Sequence, residues 1–180
     1  MLNTYVVYVE NKPGVLTRVA SLFRRRAFNI DSLTVGRTEK PEVSRMTITV
    51  DADHDQARRI EANLYKLVNV LLVENITHEP AIVRDLAMIK VAATHEARSH
   101  VLELASVFRA RVVDVAPDSL TIEITGAEDK IDGLLEVLRP YGVLEMVRTG
   151  IVAMRRGKSS ATASTNADQD VAEEDVSHSV

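Results

Sequence analysis

The stretch Tyr5-Val6-Val7-Tyr8-Val9-Glu10-Asn11-Lys12-Pro13-Gly14-Val15-Leu16-Thr17-Arg18-Val19 changes its hydrophobic period half-way along. Before the break, Tyr5, Val7 and Val9 alternate with Thr4, Val6 and Tyr8, the period of two that marks a strand with two distinguishable faces. After it, Val15, Leu16, Val19, Leu22 and Phe23 recur at helical spacing. The segment Glu10 to Gly14 thus hands the chain from a strand to a helix N-terminus. Proline lacks an N–H and has φ fixed near the helical value, so Pro13 is expected at the first helical position, where no donor is needed. Gly14 follows without a side chain, and the amides of Gly14, Val15 and Leu16 become orphan donors at the positive end of a helix dipole. A small carboxylate fits such a place. Asn-x-Pro-Gly is also an ordinary tight turn, and the residues alone leave both readings open.

Further along, Arg24-Arg25-Arg26 reads as a solvated helix end whose cations complement the dipole. Phe28-Asn29-Ile30-Asp31-Ser32-Leu33-Thr34-Val35 is a second strand, and Gly36 to Glu42 a polar turn. Met46, Ile48 and Val50 alternate with Arg45, Thr47 and Thr49 in a third strand. Asp53, with Gln56 three positions on, predicts a capped helix whose inward stripe is Ala57, Ile60, Leu64 and Leu67. Val68, Val70 and Leu72 begin a fourth strand that fades near Thr77. Strand, helix, strand, strand, helix, strand is a ferredoxin-like βαββαβ unit. Its helices cover one face of an antiparallel sheet, and the other face meets solvent or a further cover.

The pattern repeats after His78-Glu79-Pro80. A strand from Asp85 to Ala93 precedes a helix marked by Val101, Leu104, Ala105 and Phe108. Strands Arg111 to Val115 and Leu120 to Thr125 flank the turn Ala116-Pro117-Asp118-Ser119. A helix marked by Ile131, Leu134, Leu135 and Leu138 ends at Pro140 and Gly142, and one last strand is expected from about Val143 to Met154. The second unit has no counterpart of Asn-Lys-Pro-Gly, so only the first is expected to receive a ligand. The fold class is therefore α+β, two consecutive ferredoxin-like βαββαβ units at 1–78 and 79–156. A Ser/Ala/Thr-rich acidic tail at 157–180 is expected to be disordered.

Composition narrows the function. With 46% hydrophobic residues the 180-residue chain can build a core, and no run approaches the roughly eighteen apolar residues of a membrane span. Neither a span nor a secretory signal is read, and the cytoplasm is the expected location. A net charge of −4 and 4% aromatic residues speak against a nucleic-acid partner, and strands Arg45 to Val50 and Leu120 to Thr125 contain none of the exposed aromatics an RNA-binding ferredoxin-like domain needs. There is no cysteine, and His54, His78, His95, His100 and His178 are scattered, without a metal-ligating spacing. Neither GxGxxG after a strand nor GxxxxGK[ST] occurs. No catalytic residue, metal or cofactor is expected in this chain.

The first stretch together with Phe28-Asn29-Ile30-Asp31-Ser32-Leu33-Thr34-Val35 resembles an ACT domain, the amino-acid-binding βαββαβ module. With Ser44-Arg45-Met46-Thr47-Ile48, Tyr65-Lys66-Leu67-Val68-Asn69-Val70, Phe108-Arg109-Ala110 and Val113-Asp114-Val115, the resemblance is to the regulatory small subunits of acetohydroxyacid synthase, also called acetolactate synthase, over about residues 2–155. That resemblance implies a noncatalytic subunit that binds and activates a large catalytic subunit carrying thiamine diphosphate, Mg and FAD, and confers feedback inhibition by valine. It implies a valine site between the ACT domains of two small subunits, mapping onto Asn11, Gly14, Val15, Leu16, Asn29 and Ile30. A homodimer through the first unit is also expected, because one sheet face and the sheet edges are otherwise open. The alternative is a free-standing or transcription-linked ACT-domain amino-acid sensor, although no helix-turn-helix segment or basic face supports the transcriptional form.

Overall fold

In the computed structural model, residues 1–157 are described; the tail expected to be disordered lies, from residue 158 on, outside them. The first unit comprises β1 (Leu2–Glu10), α1 (Val15–Arg25), β2 (Ile30–Arg37), β3 (Val43–Asp51), α2 (His54–Leu64) and β4 (Val70–Asn75). The second comprises β5 (Ala81–Ala92), α3 (Arg98–Val107), β6 (Arg111–Val115), β7 (Ser119–Gly126), α4 (Glu128–Leu138), β8 (Val143–Arg148) and β9 (Val152–Arg155). The sheets run β2-β3-β1-β4 and β6-β7-β5-β8, the same order twice, with every pairing antiparallel. Corresponding irregularities recur: the register slips between Tyr8 and Val9 against β4 and between Lys90 and Val91 against β8.

Each unit has its own core between sheet and helices. In the first, Tyr5, Val7 and Val9 of β1 meet Val15, Val19, Leu22 and Phe23 of α1 and Ala57, Ile60 and Leu64 of α2. In the second, Ala87, Ile89 and Val91 meet Val101, Ala105, Ile131, Leu134 and Leu138. Asp53 caps α2 as its spacing predicts: its carboxylate accepts from the Gln56 N–H at 2.8 Å, and Gln56 Oε1 accepts from the Asp53 N–H at 2.9 Å.

Several boundaries differ from the sequence reading, each for a local reason. Leu67 lies beyond the end of α2, yet a turn folds it back against the core. Val68 is 91% exposed outside β4, so its place in an alternating run reflects no strand. The strand expected from Phe28 begins at Ile30, where pairing to β3 starts. The strand expected from Asp85 starts four residues earlier at Ala81, because Ala81–Arg84 pair with β9. The single last strand is two, β8 and β9, broken at Gly150, whose φ is +82°.

That break settles what covers the outer face of the first sheet. β9 and the start of β5 lie across it: Ala153 packs with Val6 and Ile76, and Tyr8, Ala81, Val83 and Ile151 close around them. Thr47 and Thr49, on the side of β3 opposite Met46, Ile48 and Val50, are buried. Arg45 lies over the Tyr8 ring, 5.7 Å from its centroid, and donates to the Ala153 carbonyl. Arg155 reaches Glu74 at 3.8 Å and Glu79 at 4.0 Å. The cover comes from the same chain, so an open sheet face no longer argues for a dimer. Among the described residues, the edge strands β2 and β4 have no partner strand on their outer sides.

Candidate functional site

The turn between β1 and α1 is built around a left-handed residue. Gly14 is the N-cap of α1 with φ +81° and ψ −7°, and no side chain caps this helix end. Pro13 therefore stands two residues before the first helical residue, Val15, instead of at that position. The chain reverses at φ near +80°, which only glycine adopts without strain, and Pro13 is held in the preceding turn, where its φ also suits. A Cβ at Gly14 would meet nothing within 4 Å, so the space before the helix is open. The Val15 N–H turns back to the Lys12 carbonyl at 3.4 Å, whereas no hydrogen bond among the described residues uses the N–H of Gly14 or Leu16. Of the three amides expected to be free, those of Gly14 and Leu16 are and that of Val15 is not, and among the described residues the Thr17 N–H is free as well.

Side chains around this turn divide by role. Val15 is 4% exposed and belongs to the core, whereas Leu16 is 44% exposed and faces outward. The Asn11 N–H donates to the Glu42 carbonyl at 2.7 Å and its Nδ2 to the Pro41 carbonyl at 2.9 Å, tying the turn to the β2–β3 loop. Its side-chain oxygen has no donor among the described residues. Sequence reasoning missed the charged groups beside them. Arg18, one helical turn after Gly14, donates to Asn69 Oδ1 at 2.6 Å, and Asn69 donates to Glu10, which also pairs with Lys12 at 3.1 Å. The Asn69 hydrogen bond, followed by that of Lys12, holds the Glu10 carboxyl below its ordinary range. The i, i+4 relation of Gly14 and Arg18 was the available signal.

Asn29 and Ile30 lie elsewhere. Ile30 is opposite Val50, and Val50 is opposite Asn3, whereas the turn follows Glu10, which is opposite Val43. Seven residues of β1 separate the two levels, roughly 25 Å at about 3.4 Å per residue. Asn29 is exposed just before β2, and Ile30 is half-buried against the core. Within one chain, Asn11, Gly14, Val15 and Leu16 come together, and Asn29 and Ile30 do not join them.

Comparison with known proteins identifies this arrangement. Residues 6–72 match the family model of the AHAS small subunit-like ACT domain, and residues 84–157 match that of the small subunit of acetolactate synthase. The chain belongs to the acetolactate synthase small-subunit family. It is 51% identical over 157 residues to a probable acetolactate synthase small subunit of Archaeoglobus fulgidus, covering 87% of this chain and 98% of that one. The acetolactate synthase small subunit of Mycolicibacterium smegmatis is 47% identical over 155 residues, covering 86% and 91%. The crystal structure of the Thermotoga maritima small subunit superposes with a TM-score of 0.82 at 40% identity, covering 88% of this chain and 99% of that chain. The chain is thus a regulatory, noncatalytic subunit with tandem ACT-like units. Among the described residues of this small subunit, no helix is long and apolar enough to cross a membrane.

Proposed function

We propose that this small subunit binds the large catalytic subunit of acetolactate synthase, raises its activity and makes it sensitive to inhibition by valine. Thiamine diphosphate, Mg and FAD then belong to the large subunit, and the complex works in the cytoplasm. The observation that carries the valine reading is the uncapped helix start at Gly14, with free Gly14 and Leu16 N–H groups and open space where a Gly14 side chain would stand. A valine carboxylate takes those donors, and its ammonium takes the carbonyl oxygens of Asn11 or Asn29. Leu16 and Ile30 line the slot for its branched side chain. Val15 contributes by holding the helix start in the core.

The roughly 25 Å between the two groups of residues within a chain supports a shared site. One protomer supplies the Gly14 turn and its partner supplies Asn29 and Ile30. This gives the homodimer a chemical reason, and the unpaired edges β2 and β4 are available to build it. Calorimetry of valine binding, light scattering and acetolactate formation with a matching large subunit test the proposal together. A valine-binding dimer that raises large-subunit activity and then confers valine inhibition is expected, with no turnover alone. Valine binding with no effect on any large subunit would favour the free-standing amino-acid sensor.

A further inference from the structure

β2 is an edge strand with work at two places. Its first residue Ile30, with Asn29 just before it, belongs to the proposed valine site. Two residues on, Ser32 and Thr34 face the turn that joins β8 to β9 in the second unit. Thr34 Oγ1 donates to the Thr149 carbonyl at 3.2 Å, and the Ile151 N–H donates to Ser32 Oγ at 3.1 Å. The approach is close enough that a Cβ on Gly150 would lie 2.5 Å from Ser32 Oγ and 3.1 Å from Thr34 Oγ1.

The two sides of this contact differ in rigidity. The turn is held within its own unit: the Thr149 N–H donates to the Leu86 carbonyl at 3.0 Å, and Thr149 Oγ1 donates to Asp85 Oδ1 at 3.0 Å. Asp85, 4% exposed, is fixed in turn by Arg148 at 2.8 Å, which also holds Asp132 at 2.8 Å. Among the described residues β2 pairs with β3 alone, and its register slips between Ile30 and Ser32, at the residue that separates the valine site from the contact. The slip places Ile30 and Leu33 both against the core and leaves Ser32 and Thr34 on the outer side. An edge strand interrupted by a bulge is less constrained than the central strands β1 and β3.

We propose that the seat of Thr149-Gly150-Ile151 on Ser32 and Thr34 is a regulatory joint, through which valine at the start of β2 sets how firmly the second unit is docked on the first. The inference rests on the valine reading above. A ligand that orders Asn29 and Ile30 restricts β2 beyond the bulge and lowers the entropy lost when Ser32 and Thr34 engage the turn, so binding and docking reinforce each other.

The Ile151 N–H bonds across the joint and reports it directly, whereas the Thr149 N–H bonds within the second unit and serves as the internal control. Amide exchange followed by NMR on the full chain, with and without valine, is expected to show Ile151 slowed by about fivefold or more, the lower end of typical coupling, with Thr149 unchanged. In Ser32→Ala, Ile151 exchange is expected to be fast and insensitive to valine while Thr149 stays protected. Thr34→Val removes the other hydroxyl and keeps the Ile151 acceptor; there a smaller valine effect at Ile151 is expected. If calorimetry shows valine bound while Ile151 exchange in the unaltered chain is unchanged or faster, the joint is overturned and the valine site stands. If calorimetry shows no valine binding, the site reading itself fails and the joint falls with it.

Discussion

The first turn of each unit occupies the same place in the same topology, and the two are finished in opposite ways. In the first unit α1 starts at a left-handed Gly14 with no cap and open space before it. In the second unit α3 starts at Ala97 in an ordinary helical conformation, and Arg98 folds over the end, its Nη2 donating to the carbonyls of Ala116 at 2.6 Å, Pro117 at 2.7 Å and Ala93 at 3.4 Å. Duplicated topology therefore does not duplicate the turn: a glycine leaves one helix end accessible, and at its counterpart the Arg98 guanidinium ties the helix start to the carbonyls of the β6–β7 connection.

The largest effect expected is on the open turn. Gly14→Asp puts a carboxylate where the valine carboxylate is proposed to sit. Two unit charges about 4 Å apart at an effective dielectric near 20 repel by about 4 kcal/mol, and half of that weakens binding by more than about tenfold. Because φ at this position is +81°, the substitution also strains the backbone. Gly14→Asn separates the two effects, since asparagine tolerates the left-handed region as aspartate does and carries no charge. Calorimetry should show the Asp variant losing valine affinity far more than the Asn variant, with activation of the large subunit retained in both. Equal losses would assign the effect to the backbone and remove the carboxylate site.

Gly150→Ala should come next, as a loss of stability. Alanine at φ +82° costs about 1–3 kcal/mol, and its methyl group collides with Ser32 Oγ besides. Urea unfolding is expected to move to a lower midpoint, and a midpoint unchanged from that of the parent chain would show that the turn is not clamped between the units.

Arg98→Met tests the closed turn. Losing hydrogen bonds to carbonyls of the β6–β7 connection and to Ala93 is expected to cost about 1–3 kcal/mol of stability and to leave valine affinity unchanged. A change in valine affinity with the fold intact would mean that the second unit also binds the effector.

The smallest effect concerns the first core. Tyr5 is fully buried, its hydroxyl donates to the Ala57 carbonyl at 3.1 Å, and burial, with Glu61 adding to it, pushes its pKa up to about 12 from 10.0. The folded protein thus keeps a proton that the unfolded chain releases. The associated stability is complete below pH 10 and is lost as pH rises toward 12. Tyr5→Phe is expected to cost about 1 kcal/mol at neutral pH, the worth of one hydrogen bond, and to remove most of the decline in stability between pH 10 and pH 12. An unaltered alkaline decline in that variant would locate the titrating group elsewhere.

Much of the fold was legible because it rests on short-range periodicity. Tyr5, Val7 and Val9 announce the inward face of β1, and Asp53 with Gln56 announces the start of α2, since both signals arise between residues a few positions apart. The alternation of Val6 and Tyr8 on the other side of β1 said only that a second face exists. Its cover, Ala153 of β9, is nearly 150 residues away in the chain, and no local pattern connects them. Gly150 likewise lies inside the single strand expected from about Val143 to Met154, whereas its φ of +82° and its approach to Ser32 go with a split into two strands.

By itself, the sequence determined the two βαββαβ units, their core faces, the glycine break before α1 and the family, because each follows from residue spacing or from a match of residues in order. The tertiary structure alone decided which amides at the break are free, since the Val15 N–H is consumed by the Lys12 carbonyl. It also decided that Asn29 and Ile30 stand at the far end of the sheet from Gly14, and that the second unit folds its last strand over the first. Those facts depend on strand register and chain reversal, which place residues distant in sequence side by side and leave no periodic trace in either segment.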